Sequence, residues 1–362
     1  MRRLTKEVRI GNVKIGGGNP IAIQSMTRAP TKDVKSVVEE IKRLELAGCE
    51  IVRVAVPDEE SVEALKLIKN QISLPLVADI HFNWHFAIRA IELGVDKIRI
   101  NPGTIKNKEG VKEIVKRAKE KGIPIRVGVN AGSLPKDLAY TSLPQAMVEA
   151  ALREIQLLEE LDFTDIIVSL KAFDIQTTVE AYERLAETRN YPLHIGITEA
   201  GPMPEGAIRS AVGLGILLSK GLGDTVRVSL TADAVKEVEV AWEILQSLNL
   251  RKRGFVIVSC PMCARCSVPL IKLVQETKEH LAKLTPFPIK IAIMGCEVNG
   301  PGEAKEADIG LAFGKTSAVI FIKGNPIKTV SSSEAIPTLL KKIEQLLSSE
   351  DFPGKEANGG LV

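Results

Sequence analysis

Cys260, Cys263 and Cys266 fall within the run "VSCPMCARCS", in a chain that has five cysteines in all. A fourth, Cys296, follows in "IMGCEVNGPGEA", and the fifth, Cys49 in "ELAGCEIV", stands far from both. In a cytoplasmic chain, thiols spaced this closely suit metal binding or redox chemistry better than structural disulfides. Structural zinc sites usually come as two C-x-x-C pairs, or as one pair with histidines. Here the second half is a lone cysteine in a Gly-rich loop with no histidine beside it, which favours an iron–sulfur cluster. Spacing alone nominates Cys266 as the fourth ligand. Cys49 reads as a small buried hydrophobe.

A second set of reactive side chains sits inside segments that should be apolar. Parallel strands covered by helices are normally near-continuous hydrophobic runs. Here Arg53 interrupts "IVRVAV", Arg99 and Asn101 share one parity in "IRIN", and Arg126 and Asn130 share one in "IRVGVN". Ser169 and Lys171 do the same in "VSLK", as do Arg227 and Ser229 in "VRVSL". Residues two apart on a strand face the same way. Such cations, turned inward together, cannot stay unpaired in a low-dielectric site and call for an anion with several charges. Arginine is suited to bidentate contact with phosphate oxygens, so a phosphorylated or diphosphorylated small molecule follows. The plainer alternative is that these arginines point outward to helix carboxylates. Asp79 in "ADIH" and Glu199 in "GITEAG" end two of the same strands, and Glu199 is a candidate for proton transfer. Its alternative role is a salt-bridge partner. His194 reads as a hydrogen-bonding residue, and His81 and His85 in "HFNWH" as loop-to-helix packing, since no third metal ligand accompanies them.

These residues need a frame. Eight β-branched segments recur between amphipathic helical stretches, at 21–26, 51–56, 75–80, 97–103, 125–130, 165–172, 193–201 and 225–233. Eight βα units predict a closed (β/α)8 TIM barrel, whose active site lies at the C-terminal ends of the strands. An open doubly wound sheet is the alternative, and the even build of the units favours closure. The expected organisation is a barrel over residues 1–250, capped by a hairpin at 7–16. A smaller α/β domain follows at 251–350, with strands "FVIVSC", "KIAIMGC" and "SAVIFIKG", and a loose tail at 351–362. "GLAFGKTS" ends like a phosphate loop, but its first glycine would have to be Ile309.

Lys and Arg total 48 against 45 Asp and Glu, a net charge of +3 that argues against bulk nucleic-acid or membrane binding. No apolar run reaches membrane-spanning length, and "MRRLTKEVRIGNV" lacks the apolar core of a secretory signal, so the expected location is the cytoplasm.

The segments "IQSM", "ADIHFN", "RINPG", "RVGVN", "SLK", "LHIGITEAGP", "GDTVRVSLT", "SCPMC" and "MGCEVNGPGEA" resemble the signature segments of the bacterial 4-hydroxy-3-methylbut-2-enyl diphosphate synthase family. The resemblance covers nearly the whole chain. It implies a [4Fe-4S] cluster held by Cys260, Cys263, Cys296 and Glu303, in place of the fourth thiolate that spacing suggests. The family usually has Gly-Arg after the second cysteine. This chain has "ARCS", which makes Cys266 extra. An oxygen ligand on iron exchanges more readily than a thiolate. The implied reaction is a two-electron reductive ring opening of 2-C-methyl-D-erythritol 2,4-cyclodiphosphate. By the same resemblance Arg53, Arg99, Arg126, Lys171, Arg227 and Ser229 grip the diphosphate. Asp79, Asn101, Asn130 and Glu199 contact the polyol, with Glu199 delivering a proton. Flavodoxin or ferredoxin brings electrons. In the implied homodimer the barrel of one subunit faces the cluster domain of the other. The non-redox alternative is a phosphate-sugar barrel enzyme with a zinc-stabilised interaction module.

Overall fold

The computed structural model describes residues 2–80, 83–100, 107–135, 140–284, 288–296, 302 and 305–348. Asn101, His81, Glu303 and the tail at 351–362 lie outside them. The chain divides into two compact units, Met1–Arg251 and Lys252–Val362. Among the described residues no helix is long and apolar enough to cross a membrane.

The first unit begins with an antiparallel hairpin, β1 (Val8–Ile10) and β2 (Val13–Ile15), turned through Gly11 at φ 57°. Strand and helix then alternate. The strands are β3 (Ala22–Met26), β4 (Ile51–Ala55), β5 (Leu76–Ile80), β6 (Lys97–Ile100), β7 (Ile125–Asn130), β8 (Ile166–Lys171), β9 (His194–Ile195) and β10 (Thr225–Val226). The helices are α1 (Val34–Ala47), α2 (Glu59–Lys69), α3 (Trp84–Glu92), α4 (Lys108–Lys121), α5 (Leu143–Glu160), α6 (Ile175–Thr188), α7 (Glu205–Ser219) and α8 (Ala234–Ser247). Helix α1 illustrates the local logic. Asp33 caps it by accepting from the Ser36 N–H, Gly48 ends it at φ 96°, and Val37, Val38, Ile41 and Leu44 form its buried stripe.

The strands form one parallel eight-stranded sheet in the order β8-β7-β6-β5-β4-β3-β10-β9. A parallel bridge between Val168 and Leu193, with the Val168 N–H donating to Pro192 O at 2.9 Å, joins its two ends. The predicted (β/α)8 barrel is therefore what forms. Strands β9 and β10 are much shorter than the segments 193–201 and 225–233 suggest. Past Ile195 the two chains crowd: a Cβ on Gly196 would lie 2.4 Å from the Arg227 carbonyl oxygen. Beyond them the backbone bends into loops that line the mouth.

Side-chain parity divides the barrel cleanly. Val52, Val54, Leu76, Ala78, Ile98 and Val127 face outward into the main core with the helices. The alternate positions face the lumen. At the strand starts these are apolar: Ala22, Ile51, Val77 and Ile167 pack with Val8, Ile10 and Ile15 of the hairpin. One pleat further along, the lumen turns polar.

The second unit is a five-stranded sheet in the order β11-β12-β13-β14-β15, parallel over the first two pairings and antiparallel over the last two. Its strands are β11 (Phe255–Ser259), β12 (Ile289–Met294), β13 (Ile309–Phe313), β14 (Ser317–Ile322) and β15 (Asn325–Ser331). Helices α9 (Leu270–Leu281) and α10 (Ala335–Ser348) pack on the sheet. Sequence reading finds three of these strands and misses β13 and β15. The first lies inside the false phosphate-loop match. The second is an exposed edge strand carrying Pro326, so it shows almost no apolar alternation.

Candidate functional site

Strands β4, β6, β7 and β8 and the residue just after β10 carry the lumen's cations. Arg99 is buried, and its Nη1 meets Asp79 Oδ1 at 3.0 Å. Arg53 Nε stands 3.7 Å from the other Asp79 oxygen, while its Nε and Nη2 lie 3.0 and 2.8 Å from the Met26 sulfur. Arg126 and Lys171 are buried, and Arg227 is half-buried beside them. Two glycines make room for these long side chains. A Cβ on Gly128 would sit 2.7 Å from Arg99 Nε, and one on Gly196 would sit 2.9 Å from Lys171 Nζ. The outward alternative is thus excluded for Arg53, Arg99, Arg126, Lys171 and Arg227.

Sequence reasoning missed a sixth lumen cation. Lys97 is fully buried and its Nζ donates to Gln24 Oε1 at 2.9 Å. It lies two residues before Arg99, so the same parity argument reaches it, one pleat deeper. It also missed Glu237 of α8. This buried carboxylate accepts from Arg28 Nη2 at 3.0 Å and from the Leu230 N–H at 2.9 Å, tying the end of β3 to the loop after β10.

Among the described residues Asp79 and Glu237 are the buried acids near these cations, so positive charge prevails. The consequence is visible in the titrating groups. Burial, reinforced by Arg227, Arg126, Arg53 and Arg99, holds the Lys171 amine well below its usual value. Burial, with Arg126 and Arg53, does the same to Lys97. Burial and then Lys171, Arg126 and Lys97 keep His194 neutral. Its Nδ1 pairs with Thr225 Oγ1 at 2.7 Å, and its Nε2 has no partner among the described residues. Arg126 Nε and Nη1 also lack a partner there. Burial outweighs Asp79 at Arg53 and pulls its guanidinium down to about 9.

A pH dependence follows. Bases whose folded values are depressed bind fewer protons folded than unfolded, so stability increases with pH up to the unfolded lysine value of about 10. The anion-free barrel unit is expected to gain stability steadily from neutral pH to pH ~9.5. Both tryptophans, Trp84 and Trp242, lie in this unit and report its urea unfolding. A midpoint that is flat or falls over that range would contradict the charge balance.

At the mouth, Met26, Glu199, Arg227, Ser229, Thr231 and Glu237 line a cavity of about 390 Å³. Glu199 is exposed and held at φ 54°, a left-handed conformation that costs a non-glycine residue of order 1 kcal/mol or more. Asn130 ends β7 in register with Lys171. His85 is exposed and its ring stacks on Trp84 at 3.7 Å, so it does pack at the helix start.

In the second unit the cysteine run follows β11 and meets the turn after β12. The Gly295 N–H donates to Cys260 Sγ at 3.3 Å, and the Ser267 N–H reaches Gly295 O at 3.3 Å. Cys266 Sγ sits 3.3 Å from Val268 O, and a Cβ on Gly295 would lie 2.4 Å from that sulfur. Met262, between the first two cysteines, is held at φ 57°. Cys263 is exposed, Cys260 and Cys296 are half-buried, and Cys49 is buried with its thiol pushed up to about 12. Among the described residues no three His, Cys, Asp or Glu side chains are grouped to hold a single ion. The donor set nonetheless fits a multi-iron cluster. Soft thiols flank one glycine turn that has no side chain, and a backbone N–H points at the Cys260 sulfur.

A parallel barrel with a cation-rich lumen, joined to a small α/β unit presenting thiols, defines a TIM-barrel protein with an appended cysteine-bearing unit. Residues 5–242 match the GcpE TIM-barrel domain and residues 256–345 the GcpE protein C-terminal domain, and the chain belongs to this family. It is 53% identical over 353 residues to the 4-hydroxy-3-methylbut-2-en-1-yl diphosphate synthase (flavodoxin) of Caldanaerobacter subterraneus, covering 97% of this chain and 99% of that one. It is 52% identical over 363 residues to the protein of that name from Geobacillus kaustophilus, covering 99% and 97%. Among solved structures, dihydropteroate synthase from Stenotrophomonas maltophilia superposes with a TM-score of 0.51 at 12% identity, over 68% of this chain and 98% of that one. That likeness is one of fold alone.

Proposed function

We propose that this chain catalyses the two-electron reductive ring opening of 2-C-methyl-D-erythritol 2,4-cyclodiphosphate to 4-hydroxy-3-methylbut-2-enyl diphosphate. The ring carbon–oxygen bond to phosphate breaks, a hydroxyl leaves as water, and two electrons and two protons enter. The observation that carries the reading is the inward convergence of five cations, Arg53, Arg99, Arg126, Lys171 and Arg227, on a lumen where Asp79 and Glu237 are the buried carboxylates near them among the described residues. Such a lumen is matched by a substrate with two phosphoryl groups. The names of the relatives support the same reaction and disfavour the zinc-module alternative.

In this reading the arginines, Lys171 and Ser229 hold the diphosphate, and His194 hydrogen-bonds at the lumen wall. Asp79, Asn101 and Asn130 orient the polyol. Glu199, exposed at the mouth, passes a proton to the departing oxygen. Cys260, Cys263, Cys296 and Glu303 would hold a [4Fe-4S] cluster, which supplies electrons singly and a Lewis-acidic iron when bound. Flavodoxin or ferredoxin is the electron donor, flavodoxin having the support of the relatives' names. The working unit is a cytoplasmic homodimer in which the barrel of one subunit faces the cysteine-bearing unit of the other.

Protein purified without oxygen and given the cyclodiphosphate with a chemical reductant is expected to release the linear diphosphate. Colourless, iron-free protein that leaves the cyclodiphosphate intact after reconstitution would end this reading. Glu303→Ala is expected to keep its iron but lose turnover by at least about 100-fold, since the displaceable ligand contributes to chemistry rather than to retention. Cys266→Ser is expected to keep both. Loss of iron from Cys266→Ser would reassign the fourth ligand.

A further inference from the structure

The polyanion reading gives Lys97 no task, because its backbone position lies two residues before Arg99 on β6, roughly 6–7 Å back along the strand toward the barrel's closed end. Its surroundings are nonetheless specific. From β3 comes Gln24, whose Oε1 is its acceptor at 2.9 Å and whose own Nε2 has no partner among the described residues. From β4 and β7 come Arg53 and Arg126, both repelling a second charge. His194 of β9 lies near enough to feel the charge of Lys97. Strand β5 offers Val77 in register with Lys97, and its carboxylate, Asp79, stands a pleat further on, bonded to Arg99 and near Arg53. An ammonium here has one neutral acceptor and no carboxylate in contact among the described residues. Buried ammonium groups in such settings give up their proton.

We propose that Lys97 couples anion binding to proton uptake: it is neutral in the anion-free protein and becomes charged when a diphosphate neutralises Arg53 and Arg126 above it. The proposal rests on the polyanion reading and adds a proton-balance role to it. A neutral Lys97 reduces repulsion in the resting lumen. Once anionic charge enters, a protonated Lys97 adds attraction from below. Lys171 is a second buried amine at the mouth, so only substitution at position 97 isolates the effect.

The test is calorimetric titration of the anaerobically purified full-length protein with inorganic pyrophosphate near pH 8, in buffers of differing ionisation heat. Wild type, Lys97→Met and Lys97→Arg are compared. The probe's own protons are common to all three. Methionine never carries the charge, and arginine holds its proton far more tightly than lysine, so both variants are expected to take up fewer protons than wild type, Lys97→Met by roughly one per chain. Should Lys97→Met fail to fold, Lys97→Arg carries the comparison. Equal uptake in wild type and variant overturns the proposal while leaving the polyanion site intact. No pyrophosphate binding to wild type overturns both.

Discussion

Arg126→Met is expected to weaken binding of the cyclodiphosphate, or of pyrophosphate, by roughly 30- to 1000-fold, the cost of removing a buried charged partner from an anion. The same substitution is expected to make the anion-free protein more stable, by about 1–4 kcal/mol. The two effects share one cause. Arg126 is fully enclosed, with two guanidinium nitrogens unpartnered among the described residues. Burial and the nearby Arg53 and Arg99 pull its charged form well below the usual range. A group that costs stability in the resting fold and contributes binding energy on ligation is what a binding site requires. Methionine fills similar space without charge. Calorimetry reads the first effect, and urea unfolding followed by tryptophan fluorescence reads the second. A destabilised variant, or one that binds normally, would show that Arg126 is satisfied by the fold and does not wait for an anion.

Gly295→Ala is expected to lower the iron content of anaerobically purified protein by more than half. The new Cβ would lie 2.4 Å from Cys266 Sγ and 3.3 Å from Leu270 Cδ2, so either the Cys266 side chain or the turn before Cys296 must shift. That turn also aims the Gly295 N–H at Cys260, and such outer contacts typically alter metal affinity by 10- to 100-fold. The cause can be isolated. Cys266→Ala removes the sulfur that clashes, so the double variant should recover most of the iron, a coupling that independent sites would not show. Full iron in the single variant, or no recovery in the double, would remove Gly295 and Cys266 from the account of this turn.

Much of this was legible in the sequence because it is written locally. Period-two alternation makes Arg99 and Arg126 share a face with their neighbours wherever the strands end up. Eight such units leave little choice but closure. Strand β15 was illegible because an edge strand has one side in solvent and no apolar rhythm to show. Lys97 opens the segment 97–103 with the same parity as Arg99, so its face is legible in the sequence; that the barrel encloses it completely and offers it only a neutral acceptor is not.

The sequence by itself determined the repeat of strand and helix, the face on which each polar strand residue lies, and the cluster of closely spaced thiols. Only the tertiary structure decided that Asp79 is the carboxylate shared by Arg53 and Arg99, that Gln24 from the first barrel strand reaches Lys97 from the fourth, and that Gly295 lies under Cys266. The reason is geometric. A side chain's face follows from its own strand's pleat, whereas its partners follow from the stagger between strands that are far apart in the chain, and that stagger is fixed only when the barrel closes.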